Sequence, residues 1–279
     1  MLRKLIKYEF KSTYTIFLSM YIVSLSLSAI GGIAFRLMEN RINMDLMGFF
    51  TNMYMGMYVL MIIAIMFLTI GLCVTRFYKS MTSSEGYLTH TLPVSIDKII
   101  ISKLITSSIW YLASSIAVFL SIITLISASF GIEVIQIYFA RIFELLSMIS
   151  VHKLQFTLAI FLFTLSIIAT IAYTFLMFYS SIAIGQLNQK RRVLVSVCSF
   201  IGINIINNFI NGFNFVFTVM KSSLRIDNIP SEGFVENAPR IIFSLLNNSV
   251  LIQLVLTIIL SLVLFFVTRY IFKNKLNLA

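Results

Sequence analysis

Six long apolar runs divide this chain, and none of them contains Asp, Glu, Lys or Arg. The runs cover 12–35, 46–75, 104–132, 154–189, 193–220 and 241–268. Each exceeds the roughly 20 residues that an α-helix needs to cross a bilayer. A transmembrane β-barrel would instead alternate polar and apolar residues in segments of about ten. The pattern therefore predicts six spanning helices, near 14–35, 53–75, 104–127, 157–180, 193–216 and 249–269.

Composition agrees with this pattern. The chain is 59% hydrophobic and 11% charged, with a mean hydropathy of +0.98, whereas a soluble domain carries about 25% charged residues. We predict an all-α integral membrane protein with a single transmembrane domain over 1–279. The first apolar run is long and no small-residue cleavage site ends it, so we expect it to be retained rather than removed as a signal peptide.

The basic residues of the connections are distributed asymmetrically. One set of connections (1–11, 76–103, 190–192 and 269–279) holds fourteen Lys and Arg residues, and the other set holds seven. The first set has three acidic residues and the second has seven. Because cytoplasmic loops are enriched in Lys and Arg, we predict that the chain spans the cell membrane with both termini in the cytoplasm. The net charge of +11 then serves orientation and anionic headgroups, with no need for a nucleic acid.

Residues 1–14 have the pattern of an amphipathic helix on the membrane surface, with basic residues on one face and apolar residues on another. Glu9 falls among the apolar residues. Its carboxylate reaches water or pairs with a nearby lysine in one interpretation. In the other, Glu9 forms an ion pair that docks this helix against the 76–104 loop, which begins at Arg76, or against a partner.

The 76–104 connection is polar and basic, but its sequence contains several signals for the beginning and end of helices. Thr82 and Glu85 have the spacing of a capping box, which predicts a short helix over 82–92. Pro93 ends that helix, and Ser95 and Asp97 favour the start of another that enters the third span. A short surface helix attached to a spanning helix is suited to receive a push from a soluble partner. The alternative is an ordinary capped surface helix without a partner.

The fifth span carries an unusual ribbon of amides. Its members are Asn204, Asn207, Asn208, Asn211 and Asn214. Their spacing places them on one face of a helix, and amides without partners are costly in lipid, so this face should be buried. The ribbon either joins helices by hydrogen bonds or lines a polar path or a subunit interface bordering one.

Two further segments are ambiguous. Residues 132–150 contain a polar stripe that is typical of an amphipathic helix at the outer interface, although they could also extend the third span. Residues 221–248 form the most polar outer connection, and its last part has the pattern of a short re-entrant or surface helix.

Several kinds of chemistry are absent from the sequence. None of the six apolar runs contains an ionisable Asp, Glu, Lys, Arg or His, although ion-coupled carriers usually need such groups at membrane depth. None of the 11 glycines precedes a lysine as a phosphate-binding loop would require. We therefore predict no catalytic residue, no metal site and no directly bound cofactor, and we expect any uphill transport to draw energy from another chain.

The arrangement resembles the permease subunits of ABC transporters of the second exporter type, in particular small six-span bacterial permeases. The segment LIKYEFK is similar to the family's surface helix, and RFYKSMTSSEGYLTHTLPVS is similar to its coupling-helix loop. The segment before the last span is similar to the family's re-entrant external helices. The resemblance implies an exporter of a hydrophobic or amphipathic peptide, lipid or drug, built from two permeases and two ATPases that bind ATP and Mg.

By the same resemblance, one segment would sit in a groove of the ATPase subunit. Its residues are Glu85, Gly86, Tyr87, Leu88, Thr89, His90 and Thr91. The rival function is a membrane scaffold or regulator that transports nothing and binds a cytoplasmic protein through the same loop.

Overall fold

The protein is all-helical in the parts that a computed structural model describes, namely residues 2–38, 44–82, 86, 94–149, 153–188, 190–227 and 234–275. Within these ranges there are seven helices and no strand. They are α1 (Leu2–Met38), α2 (Met44–Thr82), α3 (Ile96–Phe130), α4 (Ile132–Ile149), α5 (Lys153–Gly185), α6 (Arg192–Asp227) and α7 (Phe234–Asn274).

Six of these helices are long and apolar enough to cross a membrane, which confirms the predicted number of spans. The candidate spans are Leu2–Leu37, Gly48–Thr82, Ile96–Phe130, Phe156–Gly185, Arg192–Lys221 and Asn247–Asn274. The chain is therefore a multi-pass membrane protein of all-α class.

The helices extend further than the apolar runs. No break separates the predicted surface helix 1–14 from the first span, because α1 runs continuously from Leu2 to Met38. The predicted outer connection 221–248 is also largely helical, since α6 ends at Asp227 and α7 begins at Phe234. A polar residue interrupts an apolar run of the sequence without interrupting the helix. The backbone hydrogen bonds from residue i to residue i−4 continue where the helix leaves the membrane and enters water.

Gly131 separates α3 from α4. Its φ of +90° lies in the left-handed region that favours glycine, and its amide donates to the Ser127 carbonyl oxygen at 3.0 Å. Residues 132–149 thus form a helix of their own and do not extend the third span.

The chain divides into two compact units. The first comprises 1–76 and 101–146, and the second comprises 77–100 and 147–279. In the first unit, α1 and α3 run parallel, because Glu9 contacts Lys103 near their beginnings and Gly32 lies beside Ala128 near their ends. α2 runs antiparallel to α3, and hydroxyl contacts join the three helices. Ser114 accepts or donates a hydrogen bond with Tyr21 at 2.7 Å and with Thr69 at 2.8 Å, and Tyr58 pairs with Ser121 at 2.9 Å. We call these five side chains the hydroxyl seam.

In the second unit, α5 packs against both α6 and α7. The chain reverses between α5 and α6, since the rings of Phe178 and Phe200 stack across this pair with centroids 4.7 Å apart. Tyr179 of α5 is completely buried in this unit. The last residues of α2 and of α7 belong to the same unit. The predicted coupling segment begins at the end of α2.

Candidate functional site

Aromatic stacking fixes the end of α2 inside the second unit. The rings of Phe77 and Tyr179 lie nearly parallel, with centroids 3.7 Å apart and an interplanar angle of 8°. Phe272 of α7 meets Phe77 edge-on at 5.9 Å. All three side chains are buried. Aromatic pairs of this kind contribute about 0.5–1.5 kcal/mol beyond the burial of their area, so the end of α2 is held firmly.

The backbone after α2 stays close to it. Met81 is fully buried, and a Cβ atom added to Gly86 would lie 2.8 Å from the Met81 carbonyl oxygen. Real Cβ atoms do not approach other atoms so closely, so this position suits the residue that has no side chain. Gly86 itself is helical and buried.

The other end of the segment, the start of α3, is held in two ways. Ile99 and Ile100 are buried in the second unit. Asp97, in the first turn of α3, accepts an ion-pair contact from Nε of Arg269 in α7 at 2.8 Å. Both charged side chains are about one-third exposed, so the ion pair chiefly fixes geometry and contributes little net stability.

Most of the predicted ATPase-coupling residues lie outside the described part of the chain. Glu85 and residues 87–91 are in this group, so Gly86 alone of that set has a described position. Thr82 lies in α2, and its hydroxyl donates to the Tyr78 carbonyl oxygen at 2.7 Å. The helix over 82–92 that it is predicted to cap falls almost entirely outside the described residues.

The two predicted docking residues, Glu9 and Arg76, lie together in the first unit. Nζ of Lys103 is 2.5 Å from one carboxylate oxygen of Glu9, and Nε of Arg76 is 3.5 Å from the other without hydrogen-bond geometry. The side chain of Lys103 is only 5% exposed and that of Glu9 is 19% exposed. A cation at this depth needs a charged or polar partner. Glu9 therefore joins the beginning of α1 to the end of α2 and the beginning of α3.

One turn further along α1, an aromatic contact supports the same junction. Trp110 of α3 donates its indole N–H to the Thr13 hydroxyl at 3.0 Å. Its ring stacks on that of Phe17 with centroids 4.3 Å apart.

The asparagine ribbon of α6 forms a directional chain of amides with α7. Nδ2 of Asn214 donates to Oε1 of Gln253 at 3.1 Å, and Nε2 of Gln253 donates to Oδ1 of Asn211 at 3.1 Å. Nδ2 of Asn211 then donates to Oδ1 of Asn207 at 3.2 Å. We call these four side chains the amide chain. The two other predicted members are outside it: Asn204 bonds to the Phe200 carbonyl oxygen at 3.2 Å, and Asn208 is exposed.

An open groove of about 290 Å³ lies beside the amide chain within the second unit. The groove is lined by α5, α6 and α7 through Phe163, Ser166, Asn211, Asn214, Phe215, Thr218, Ser249, Val250 and Gln253. The described part of its wall is mainly apolar, with amides and hydroxyls and no charged side chain.

Sequence reasoning missed the partners of these groups. Gln253 had a detectable signal, because it is the one amide residue in the predicted span 249–269. Tyr179 and Arg269 had none, because nothing in the pattern distinguishes a tyrosine or an arginine that packs at this point from its neighbours. Lys103 was counted as a charge that sets orientation, although it lies among buried residues.

Within the part of the chain that the structure describes, no cluster of three or more His, Cys, Asp or Glu side chains could hold a metal ion. No protein-family model, no curated protein and no solved structure matches this chain.

Proposed function

We propose that this protein is the membrane-spanning permease subunit of an ATP-driven ABC exporter. It works with a separate ATPase subunit, which binds ATP and Mg, and with a second permease, either an identical copy or a different chain. Its cargo is hydrophobic or amphipathic, and both of its termini are cytoplasmic. The resemblance of the 76–104 loop to a coupling loop motivates this proposal.

One structural observation supports the proposal most directly: both ends of the coupling segment are anchored. Phe77 is clamped between aromatic rings at one end, and Asp97 is paired with Arg269 at the other. A segment with two fixed ends moves as a body when something pushes it, whereas a loose loop would absorb the push.

In the proposed mechanism, closure of the ATPase pair displaces residues 82–92. Because α2 is helical as far as Thr82 and α3 begins at Ile96, the displacement reaches both spans within a few residues. The second and third spans then tilt, and a path between the two permeases opens or is squeezed. The permease contributes positioning and packing, and the ATPase contributes the hydrolysis.

The fifth span supports the assembly of two permeases. The apolar stretch of 18 residues within this span contains no buried residue, whereas 17–28% of the corresponding stretch is buried in each of the other five spans. An apolar helix left so exposed within one chain suits contact with a second permease, and we place the dimer interface there, together with the first span.

The proposal is tested by searching for an ABC ATPase gene beside this one and by co-expressing the two chains. Leu88→Ala and Tyr87→Ala should lower co-purification of the ATPase and abolish the stimulation of ATP hydrolysis by the permease. The matched control is Leu187→Ala, because Leu187 is an exposed leucine in another connection on the same predicted side. If the coupling variants behave like the control, the transporter function is wrong. If no ATPase is encoded nearby and the same loop captures a sensor protein, the scaffold function replaces it.

A further inference from the structure

We infer that the groove beside the amide chain binds an uncharged apolar peptide segment through the amides of its backbone. As a statement about cargo, this rests on the exporter function proposed above. As a statement about binding, it rests only on the geometry of the second unit.

The groove extends inward from the ends of the candidate spans, because Thr218 and Ser249 of its lining lie three and two residues from the span ends at Lys221 and Asn247. Asn211 and Asn214 lie ten and seven residues before Lys221, the last residue of the fifth candidate span. At about 1.5 Å per residue, they lie roughly 10–15 Å inside that end of the span. Half of a hydrocarbon core is about 15 Å thick, so the groove is within one leaflet.

The amides of the groove have unused hydrogen-bonding capacity. A side-chain amide offers two donors and two acceptor positions. Within the described residues, Asn211 and Gln253 each use one donor and one acceptor in the amide chain. Polar capacity that is left without a partner in hydrocarbon is unfavourable, so a ligand that both donates and accepts is favoured here.

The lining also determines the charge of the ligand. Among the described residues it contains amides, hydroxyls and apolar side chains such as Phe163 and Phe215, but no Lys, Arg, Asp or Glu. A charged ligand would enter without a counter-ion, which is costly at this depth. The ligand is therefore neutral where it contacts the groove.

The spacing of the polar groups favours a peptide over a lipid that contains one amide. Asn211, Asn214 and Thr218 form a polar ridge along α6 that is about 10 Å long at 1.5 Å per residue. An extended peptide advances about 3.3 Å per residue, so about three peptide units face this ridge. A lipid with a single amide would use one of these positions and leave the others in hydrocarbon.

The experiment uses the full chain in nanodiscs and a photoreactive tripeptide of leucine-like residues, blocked at both ends and therefore uncharged. Cross-links are mapped by mass spectrometry, and affinity is measured from the concentration dependence of labelling. We expect labels on α5, α6 and α7 around the groove. Gln253→Leu should weaken binding tenfold or more, and methylation of each peptide N–H should weaken it about three- to tenfold, the equivalent of one hydrogen bond.

Two further variants separate binding from folding. Ser166→Leu fills the groove from α5 without touching the amide chain, because the Ser166 hydroxyl donates to the Phe163 carbonyl oxygen; it should reduce labelling at least tenfold. Asn208→Leu changes an exposed amide outside the chain and should leave labelling unchanged.

Three results would overturn the inference: labelling that persists in Ser166→Leu, equal binding of the N-methylated peptide, or full competition by a ceramide, which carries a single amide. Failure of the exporter function would look different. ATPase stimulation would then be absent while groove labelling still followed the pattern above.

Discussion

The ammonium nitrogen of Lys103 lies 2.5 Å from a carboxylate oxygen of Glu9, and this contact joins the beginnings of two helices that are 94 residues apart in sequence. Nε of Arg76 lies 3.5 Å from the other carboxylate oxygen of Glu9. The two cations are not equivalent, because Lys103 is almost fully buried while Arg76 is about one-third exposed. Loss of the carboxylate therefore affects Lys103 more than it affects Arg76.

The first prediction concerns this asymmetry. Glu9→Gln removes the carboxylate beside the buried Lys103 cation and should lower the free energy of unfolding by about 1–3 kcal/mol, the cost of a buried charged group that loses a charged contact. Lys103→Met should cost less, because Glu9 keeps Arg76, and the double variant should recover part of the loss in Glu9→Gln. Thermal unfolding in detergent measures all three. Arg141→Gln is the control, because the Arg141–Glu144 pair is exposed and worth at most about 0.5 kcal/mol. Equal effects of Glu9→Gln and the control would contradict the prediction.

The second prediction concerns the aromatic clamp on the end of α2. Tyr179→Ala should lower the free energy of unfolding by about 3–5 kcal/mol, because it opens a cavity under Phe77. Tyr179→Phe keeps the stacked ring and should lose about 1 kcal/mol or less. Phe161→Ala, at an exposed position of the same helix, should have little effect. A Tyr179→Ala protein that unfolds at the parental temperature would show that the clamp is not needed.

The third prediction compares two glycines. A Cβ atom on Gly32 would lie 2.5 Å from the Ala128 Cβ and 2.8 Å from the Leu125 carbonyl oxygen, whereas one on Gly212 would have no atom within 4 Å. Gly32→Ala should therefore destabilise the first unit by about 1–3 kcal/mol through overpacking. Gly212→Ala should be neutral or stabilising by up to about 1 kcal/mol, because alanine favours a helix. Thermal unfolding should show shifts of opposite sign, and shifts of the same sign would contradict the close approach of α1 and α3.

The fourth prediction tests the role of the Asp97–Arg269 pair in coupling. Asp97→Arg alone should place two cations together and reduce the ATPase stimulation several-fold while the protein remains folded. The exchange variant, Asp97→Arg with Arg269→Asp, should restore most of the stimulation, because the opposite charges again meet. ATP hydrolysis by the purified complex is the measurement, and size-exclusion chromatography checks folding. Stimulation that is normal in the single variant would mean that this pair does not hold the coupling segment.

The fifth prediction concerns the exposed face of α6. Single cysteines at Val197, Ile201 and Ile205, in a chain with Cys73→Ser and Cys198→Ser, should give covalent dimers for positions on one face. All three native side chains are exposed. Cysteines at exposed positions of α5, such as Phe161 and Ile168, should stay monomeric after oxidation. Cross-linking at the α5 positions and none on α6 would move the interface away from the fifth span, and no cross-linking on either helix would leave the interface with the first span.

The sequence predicted the number of spans well and their ends less well. Hydropathy reports where hydrocarbon replaces water, and this is sufficient to count helices. It does not report where the backbone hydrogen bonds stop, so α1 and α2 continue through residues such as Lys7 and Lys79. Gly131 could not be identified as a break from composition alone, because other glycines, such as Gly56 and Gly71, lie inside helices.

The candidate sites show a similar limit. The helical period placed Asn207, Asn211 and Asn214 on one side of α6, but their partner Gln253 depends on how α6 packs against α7. The misplaced carboxylate of Glu9 was visible in the pattern. The choice of Lys103 over the lysines closer in sequence depends on the packing of α1 against α3, which a single sequence does not contain.

The hydroxyl seam of the first unit has a consequence for solution conditions. Tyr21, Ser114 and Thr69 hold α1, α2 and α3 together through neutral groups. Salt screens interactions between charges and leaves such contacts nearly unchanged. High ionic strength should therefore leave the middle of these three helices associated and weaken the exposed Arg141–Glu144 pair more than the buried Lys103–Glu9 contact.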